Sequence, residues 1–385
     1  MSKRNSLQCP QQTDISGGKQ ACTILTCYYR PKPGGFCKRL FRAIHALLDR
    51  GQTVHYLAVV PFPIDHPNCH FHRFLWPEKH TSGYLFWFFF HLFAPLQLLY
   101  LGFRYRVNRL FAFGHNYGLF LQPLRIVKRI PLTLFLRADT IENHRIKGRS
   151  SWLIRLEHLL EGLGIAGTRM YGVSETLTRR TIARHRFLKP STSGVLRNDI
   201  VKRHPGSKKT GKEKRKLPLR LACVGVLEPR KNQRFLLEVM KGIRADQARL
   251  YLYGTGPDEQ LLKEIVQREN MTDRVHFMGW VEADAIWPNV DLLLMPSLHE
   301  GAPNAVLEAI GNGVPVLASD IAEHREILSG VSLLTQGDIC YWRDKLINII
   351  DDPDFKIMNI FSLKEELMHQ LSFDWDDNIS WYVIF

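Results

Sequence analysis

Acid is scarce over the first two thirds of this chain. Residues 1–250 hold 14 Asp and Glu against 44 Lys and Arg, whereas residues 251–385 hold 23 against 8. So basic a stretch excludes a cationic partner and predicts an anionic one: a membrane surface, a nucleic acid or a phosphorylated substrate. Cysteine is sparse too. The seven thiols, at 9, 22, 27, 37, 69, 223 and 340, are odd in number, scattered and without a CxxC pair. That excludes a disulfide framework and predicts reduced cysteines in a cytoplasmic protein. The first twenty residues are polar and the apolar run at 21–29 is too short, so no signal peptide is expected. No RNA-recognition or zinc-finger module surrounds the stretch 202–216, KRHPGSKKTGKEKRK. It reads as a basic linker, and nucleic acid is not expected as a partner.

Two domains are expected of 385 residues, and 45% apolar with 23% charged residues is a globular composition. The informative stretch is 295–309, MPSLHEGAPNAVLEA. Just before it, VDLLLM at 290–295 reads as a buried parallel strand stopped by Pro296 and Ser297. Then Gly301 frees a turn, Pro303 suits a first helical position, and a helix runs from Asn304 to Ile310 until Gly311 and Gly313 stop it. In an open α/β sheet such a junction sits at the carboxyl edge, where ligands bind. The amides of Asn304 and Ala305 there suit an anionic phosphate. Glu300 and Glu308 then flank the anion site, about 10 Å apart for a compact loop. A nucleotide diphospho-sugar has that layout: sugar hydroxyls, pyrophosphate, ribose hydroxyls.

EGAPNAVLEA resembles the E-x7-E signature of retaining, family 4 type glycosyltransferases with the GT-B fold (glycosyl transferases group 1), and NGVPVLASDIAEHREIL resembles the stretch that comes next in them. The resemblance is strong from about 217 to 328 and thin between 60 and 110. It implies an α/β protein of two Rossmann-like domains facing each other across a cleft. A tail at 1–20 would precede an acceptor domain at 21–201, a linker at 202–217 and a nucleotide-sugar donor domain at 218–370. The segment 371–385 would return to the first domain.

Along the first domain, 23–27 and 54–60 read as strands around an amphipathic helix at 36–50, with Phe36, Leu40, Ile44 and Leu47 in helical register. Gly34 and Gly35 do not form a G-x-G-x-x-G there; the resemblance places such a Gly-Gly loop near the donor phosphates. Asp65, His66, Cys69, His70 and His72 fit no usual zinc spacing and read as a surface loop, with Pro61, Pro63 and Pro67 around them. The run 84–103, YLFWFFFHLFAPLQLLYLGF, holds nine aromatics in twenty residues and is just long enough to span a bilayer. A span would cut the domain in two, and His91, Pro95 and Gln97 interrupt it. Two readings remain: a buried helix pair, or, preferred, a monotopic surface dipping into the lipid interface. Arg104, Arg106, Arg109, Arg125, Lys128 and Arg129 would then meet anionic headgroups. Strands at 109–113 and 131–136 end at Gly114–Tyr117 and at Arg137 and Asp139, facing the cleft. By resemblance His115 stands beside the acceptor or the transferred sugar; by itself it reads as an ordinary loop histidine. Helices at 152–163 and 174–186, the second capped by Ser174, enclose a strand at 171–173.

The second domain reads as βαβαβ, with strands at 219–227, 248–253 and 275–278 and helices at 234–243 and 261–269. Lys231, in the loop after its first strand, suits neutralisation of a leaving diphosphate. The family shows Gly-Arg-Leu before that lysine, where this chain has Gly225, Val226 and Leu227, so Arg230 is expected to substitute. The resemblance also implies Glu300 on the sugar hydroxyls, Glu308 on the ribose, and Gly254, Gly301 and Val281 around the donor. The reaction it implies uses no metal and no cofactor besides the donor. The expected function is transfer of a sugar from a nucleotide diphospho-sugar to a membrane-associated or polysaccharide acceptor. Lipopolysaccharide, capsule or O-antigen synthesis at the inner face of the cytoplasmic membrane is the expected setting. Val226 leaves open an inactive GT-B protein that binds sugar nucleotide or recruits to the membrane, and a GT-B epimerase is a further alternative.

Overall fold

The computed structural model describes residues 21–32, 35–199, 217–351 and 374–385; Gly34 and the basic linker at 202–216 lie outside them. Two parallel sheets organise the chain. The first contains β1 (Thr23–Cys27), β2 (Thr53–Ala58), β3 (Cys69–Arg73), β4 (Arg109–Phe113), β5 (Leu132–Leu136), β6 (Arg169–Gly172) and β7 (Thr192–Val195). Its order is β3-β2-β1-β4-β5-β6-β7. The second contains β8 (Leu219–Val224), β9 (Ala248–Tyr253), β10 (Val275–Gly279), β11 (Leu292–Met295), β12 (Val316–Ser319) and β13 (Leu333–Leu334), ordered β10-β9-β8-β11-β12-β13. All these neighbours pair in parallel. Parallel pairing demands crossovers that cover both faces, so central strands are apolar without alternation. LTLFL of β5 and LLLM of β11 are buried at every position.

Helices fill the crossovers. In the first domain these are α1 (Gly35–Leu48), α2 (Tyr84–Arg104), α3 (His115–Lys128), α4 (Thr140–Ile146), α5 (Ser151–Ile165) and α6 (Glu175–Arg184). The second holds α7 (Gln233–Met240), α8 (Glu259–Arg268), α9 (Ala283–Ile286), α10 (Asn304–Gly311), α11 (Ala322–Arg325) and α12 (Ile339–Asp351), before α13 (Trp375–Ile384). Local chemistry sets several boundaries. The side chains of Asp139 and Ser174 accept hydrogen bonds from the N–H groups of Glu142 and Leu177, capping α4 and α6. Asp374 accepts from the N–H groups of Asp376 and Asp377 at 2.9 Å, starting α13 with negative charge at the positive end of its dipole.

α13 does not belong to the domain that precedes it. Trp375, Ile379 and Val383 join the core of the first domain, with Ile24, Leu110 and Leu134. Polar contacts fix the same crossing. Arg42 clasps Asp376 at 2.7 Å, Arg109 donates to the carbonyl of Ile384 at 2.8 Å, and Thr133 donates to that of Tyr382 at 3.0 Å. The guanidinium groups of Arg39 and Arg42 lie 5.0 and 5.1 Å from the Trp375 ring centre. The second domain packs its own two cores, one on each face of its sheet.

Two expectations need correction. The stretch around Cys69, His70 and His72 is not all loop: Cys69–Arg73 is the edge strand β3, paired to β2 from Val54↔Cys69 to Ala58↔Arg73. Cross-strand pairing puts His55, His70 and His72 on one face, where the His55 ring stacks on those of His72 and Tyr105 and packs against that of His70. Among the described residues no group of three His, Cys, Asp or Glu is arranged to hold a metal ion. The aromatic run forms one helix, α2, and not a buried pair. Phe86, Phe90, Ala94, Leu98 and Leu101 sit in the core while the opposite side is exposed.

Because Trp375 is fully buried in the first domain's core, Trp375→Ala is expected to destabilise that domain by about 3–5 kcal/mol. Urea unfolding followed by near-UV circular dichroism measures it. An unchanged midpoint would show that α13 is not part of the folding unit.

Candidate functional site

Each sheet reverses direction once. In the first, the chain moves outward from β1 to β3 and restarts at β4 on the other side of β1; in the second, β11 restarts beside β8. Loops leaving adjacent strands at such a point diverge and leave a crevice. The β1 and β4 loops of one domain and the β8 and β11 loops of the other supply Gly35, His115, Lys231 and Glu300.

Glu300 is the centre of the second domain's crevice. It is 2% exposed. Its Oε1 accepts from Lys231 Nζ at 2.6 Å and from Ser297 Oγ at 2.7 Å, and its Oε2 from Arg230 Nη1 at 2.9 Å. Burial alone would raise its pKa, but Lys231 and Arg230, with His324 nearby, outweigh that and hold the carboxyl down at about 2. Arg230 is shared. It also donates to Glu228 at 2.8 Å and to the carbonyl of His299 at 3.2 Å. Glu228 in turn meets Lys147 of the first domain at 3.2 Å.

Backbone room for this cluster comes from glycine. Gly225 has φ +152°, and a Cβ there would lie 3.2 Å from Lys231 Cε. Gly254, at the end of β9 with φ +130°, would put a Cβ 2.1 Å from the carbonyl oxygen of Gly225. Gly254 thus supports the lysine loop from beneath and donates its N–H to Gly279 at 2.7 Å.

The next turn meets the first domain. A Cβ on Gly301 would lie 2.3 Å from the carbonyl oxygen of Arg137, so only glycine lets the two backbones approach this closely. Asn304 opens α10 with its side chain against Gly35, whose Cβ would fall 2.9 Å from its Nδ2. The Asn304 Oδ1 accepts from the Asn198 side-chain amide, and Asn198 accepts from Arg137 Nη2 at 2.5 Å. Burial, and then Arg39, push the Arg137 guanidinium down to about 9, against the pull of Asp199. Pro303 is the cap residue of α10, not its first helical residue. The Asn304 N–H donates to the carbonyl of Ala302 at 2.9 Å. Ala305 follows, at a position whose amide has no carbonyl within the helix to meet.

The remaining candidates are spread around this centre. Glu308 lies one turn along α10 and is half-buried. Val281, after β10, packs on the adjoining core, and its neighbours Trp280 and Glu282 face Lys38 of α1, which meets Glu282 at 2.9 Å. His115 is no loop residue: it starts α3, is buried, and its Nε2 bonds Glu157 Oε1 of α5 at 2.8 Å. Burial would raise the Glu157 carboxyl, but its bond to His115 and the charges of His115, His144 and His91 bring it below its ordinary value. His115 and Glu300 share no hydrogen bond. Gly34 lies outside the described residues.

Several partners were not legible beforehand. Ser297, read only as a strand stop, is the third donor to Glu300. Glu326 reaches across to α6, accepting from the N–H groups of Glu175 at 3.0 Å and Thr176 at 2.6 Å and from Arg197 at 2.6 Å. It fills the anion position at that helix's N-terminus with a carboxylate from the other domain. Arg180 meets Glu323 at 2.7 Å beside it. A cavity of about 610 Å³ opens between α4, α6 and the second domain, lined by Arg145, Arg180, Arg184, His299, Asp320 and Glu323 among others. It reaches His299 but neither Glu300 nor Lys231.

The depressed pKa of Glu300 sets a pH dependence. Its stabilising contribution is fully present above its ordinary value of 4.5 and is lost as the pH falls towards about 2. Glu300→Gln is expected to flatten that acid limb and to cost on the order of 3–5 kcal/mol at neutral pH, because two half-buried cations lose their counter-charge. Denaturant unfolding between pH 2 and pH 7 reads both effects (values bracketing the titration), and an unaltered acid limb would remove the assignment.

Comparison with known proteins places this geometry. Residues 218–352 match the family model Glycosyl transferases group 1. Protein CapJ of Staphylococcus aureus is 35% identical over 122 residues, 31% of each chain. The O-antigen biosynthesis glycosyltransferase WbnH of Escherichia coli is 31% identical over 138 residues, 35% of this chain and 39% of its own. A UDP-Gal:alpha-D-GlcNAc-diphosphoundecaprenol alpha-1,3-galactosyltransferase of Escherichia coli is 28% identical over 192 residues, 46% and 49%. The chain thus spans less than half the length of these curated relatives. Among solved structures, sucrose-phosphate synthase from Thermosynechococcus elongatus superposes with a TM-score of 0.75 at 16% identity, covering 94% of this chain and 96% of its own. HepE of Anabaena in complex with UDP-glucose gives a TM-score of 0.68 at 16% identity, covering 94% and 98%. The chain therefore has the GT-B fold, two Rossmann-like domains about a cleft, and its residues 218–352 are similar to the glycosyl transferases group 1 family.

Proposed function

We propose that this protein transfers a sugar from a nucleotide diphospho-sugar to a membrane-associated or polysaccharide glycan. The observation that carries the proposal is the pairing of Lys231 and Arg230 on Glu300 at the strand-order reversal of the second sheet. Departure of a nucleoside diphosphate needs positive charge held where negative charge develops, and a cation already fixed there needs no reorganisation. In this reading Lys231 is the main diphosphate contact, and Arg230 shares that role while bound to Glu228 and Glu300. A carboxylate offers about four lone-pair sites. Three donors occupy Glu300, which leaves capacity for one sugar hydroxyl.

Ala305 and Asn304 at the start of α10, with Gly301, Gly34 and Gly35 around them, would bed the phosphates. Glu308 would hold the ribose, and Val281 and Gly254 would border the nucleotide. His115 would face the transferred sugar, its ring fixed by Glu157. The reaction is proposed to run without a metal, the two cations supplying the charge, and with retention, which rests on the resemblance of the E-x7-E stretch. A donor-phosphate oxygen would accept the acceptor's proton. The names of the relatives support envelope glycans as the setting: WbnH belongs to O-antigen biosynthesis, and the matched galactosyltransferase acts on a diphosphoundecaprenol-linked sugar. The protein would work in the cytoplasm at the membrane's inner face.

A second reading has an observation behind it. Arg230, offered for the arginine missing at Val226, is already engaged by two carboxylates and a carbonyl. An inactive protein that only binds sugar nucleotide would result if Lys231 alone were too little.

A thermal-shift screen of UDP-, GDP- and ADP-sugars is expected to show one nucleotide class raising the melting temperature. With that donor, Lys231→Ala is expected to lower kcat by about 10²–10³-fold, and Glu308→Ala to raise the donor KM with kcat nearly kept. Binding without transfer or hydrolysis would favour the inactive reading. If no nucleotide sugar shifts the melting temperature, the proposal fails.

A further inference from the structure

The exposed apolar surface of the first domain is not confined to α2. That helix turns Tyr84, Leu85, Phe88, Leu92, Phe93, Leu96, Tyr100 and Phe103 outward, with Tyr84 93% and Phe88 63% exposed. α5 does the same with Trp152, Leu156, Leu159 and Leu163, an i, i+4, i+7, i+11 stripe whose Trp152 is 64% exposed. Between them α3 exposes Ile126 and Val127. The three helices are neighbours, and small residues bring them together. A Cβ on Gly102 of α2 would lie 2.4 Å from Leu124 of α3, and one on Gly118 of α3 would lie 3.0 Å from the carbonyl oxygen of Gly164 on α5. Single exposed leucines are ordinary, but so many exposed apolar side chains on neighbouring helices mark an interaction surface.

The exposed charges on these helices have one sign. Arg104, Arg106, Arg129 and Arg155 are exposed on or just beyond α2, α3 and α5. Neither α2 nor α3 contains an acidic residue. The two glutamates of α5 are engaged elsewhere: Glu157 with His115, and Glu161, buried, with Arg184 and His185. A second copy docked by the same face would set these arginines against their own kind with no carboxylate between them. A bilayer with anionic headgroups matches instead. Aliphatic and phenyl groups enter the acyl boundary, Tyr84, Tyr100 and Trp152 take the interfacial level, and the arginines reach phosphates. A spanning helix does not fit, because Phe86, Phe90 and Leu98 of α2 are fully buried in the domain core.

We propose that α2, α3 and α5 form one platform on which the first domain seats itself on an anionic bilayer. The proposal rests on the glycosyltransferase reading only for its consequence. Since His115 opens α3 and is held by Glu157 of α5, the platform's own helices reach the acceptor side of the cleft, which suits an acceptor whose lipid portion stays in the membrane.

The test is co-sedimentation of the full-length protein with phosphatidylcholine vesicles, with and without phosphatidylglycerol. Binding is expected with phosphatidylglycerol at low salt and is expected to weaken about tenfold or more on raising salt, as headgroup attraction is screened. Phe88→Glu with Leu92→Glu on α2, and separately Trp152→Glu with Leu156→Glu on α5, should each lower vesicle binding about tenfold or more while leaving the melting temperature in place. Arg104→Gln with Arg129→Gln, which leaves the exposed apolar side chains in place, should abolish the preference for phosphatidylglycerol. The proposal is overturned if the wild type stays in the supernatant, if the α5 pair binds like wild type, or if the protein is a dimer that the α2 pair dissociates without any vesicle binding. Donor-induced thermal shifts on the same variants should match wild type. A missing donor shift with intact vesicle binding would count against the transferase reading alone and support the platform.

Discussion

Glu300 keeps its charge inside the protein, and water contributes almost nothing to solvating it. A buried carboxylate survives only when its partners are placed well enough to replace hydration, and removing one partner leaves a net charge stranded. Here those partners come from two separate stretches: Ser297 from the end of β11, and Lys231 and Arg230 from the loop after β8. The two loops can meet only because β8 and β11 are adjacent in the sheet though far apart in sequence. Gly225 and Gly254 are then forced by the same constraint, since a side chain at either would push the lysine loop off the carboxylate. The sheet order, the glycines and the ion group are thus one requirement met at three levels.

The same group reaches the other domain. Arg230 donates to Glu228, and the same carboxylate pairs with Lys147 just beyond α4. On a second line Arg137, Asn198 and Asn304 bridge the cleft, with Gly301 and Gly35 permitting backbone contact. A third contact is the Glu326 carboxylate on the first amides of α6. Such contacts are polar and partly solvated, unlike the packing of α13 into the first core, where Trp375 and Ile379 are fully buried. The physical distinction matters for motion. Polar bridges can exchange for water at small net cost, whereas withdrawing α13 would expose a tryptophan and break the core, so α13 is the fixed crossing and the cleft contacts are the ones free to rearrange.

Much of this was legible in the residues. The buried strands β5 and β11 announce themselves as apolar runs, and β1 and β9 were bounded correctly because turn residues flank them. The GT-B fold followed from one specific stretch, EGAPNAVLEA, and not from composition. What escaped were features that depend on a partner far along the chain. β3 was hidden because its alternation sets His70 and His72 against Cys69, Phe71 and Arg73, which reads as a polar loop until β2 supplies His55 and Tyr56 opposite. His115 could not be told from a loop residue without Glu157, 42 positions away. Nothing near Glu326 signals that α6 lies across the cleft from it.

α2 and α5 show a deeper limit of pattern reading. Each has a stripe of apolar residues at helical spacing, and the usual inference is that such a stripe faces the core. In α5 the stripe through Trp152, Leu156 and Leu159 faces solvent, while the inward side holds the charged Glu161 and half-buried Glu157, each satisfied by a basic group. In α2 both sides are apolar, so its low amphipathicity conceals that only one side is covered. Periodicity reports that a surface must be removed from water, not what removes it. Where, among the described residues, a helix turns paired acids inward and tryptophan and leucine outward, the proposed platform supplies the covering medium. The one-sided excess of arginine around that outside then decides the sign of the charge such a medium must carry.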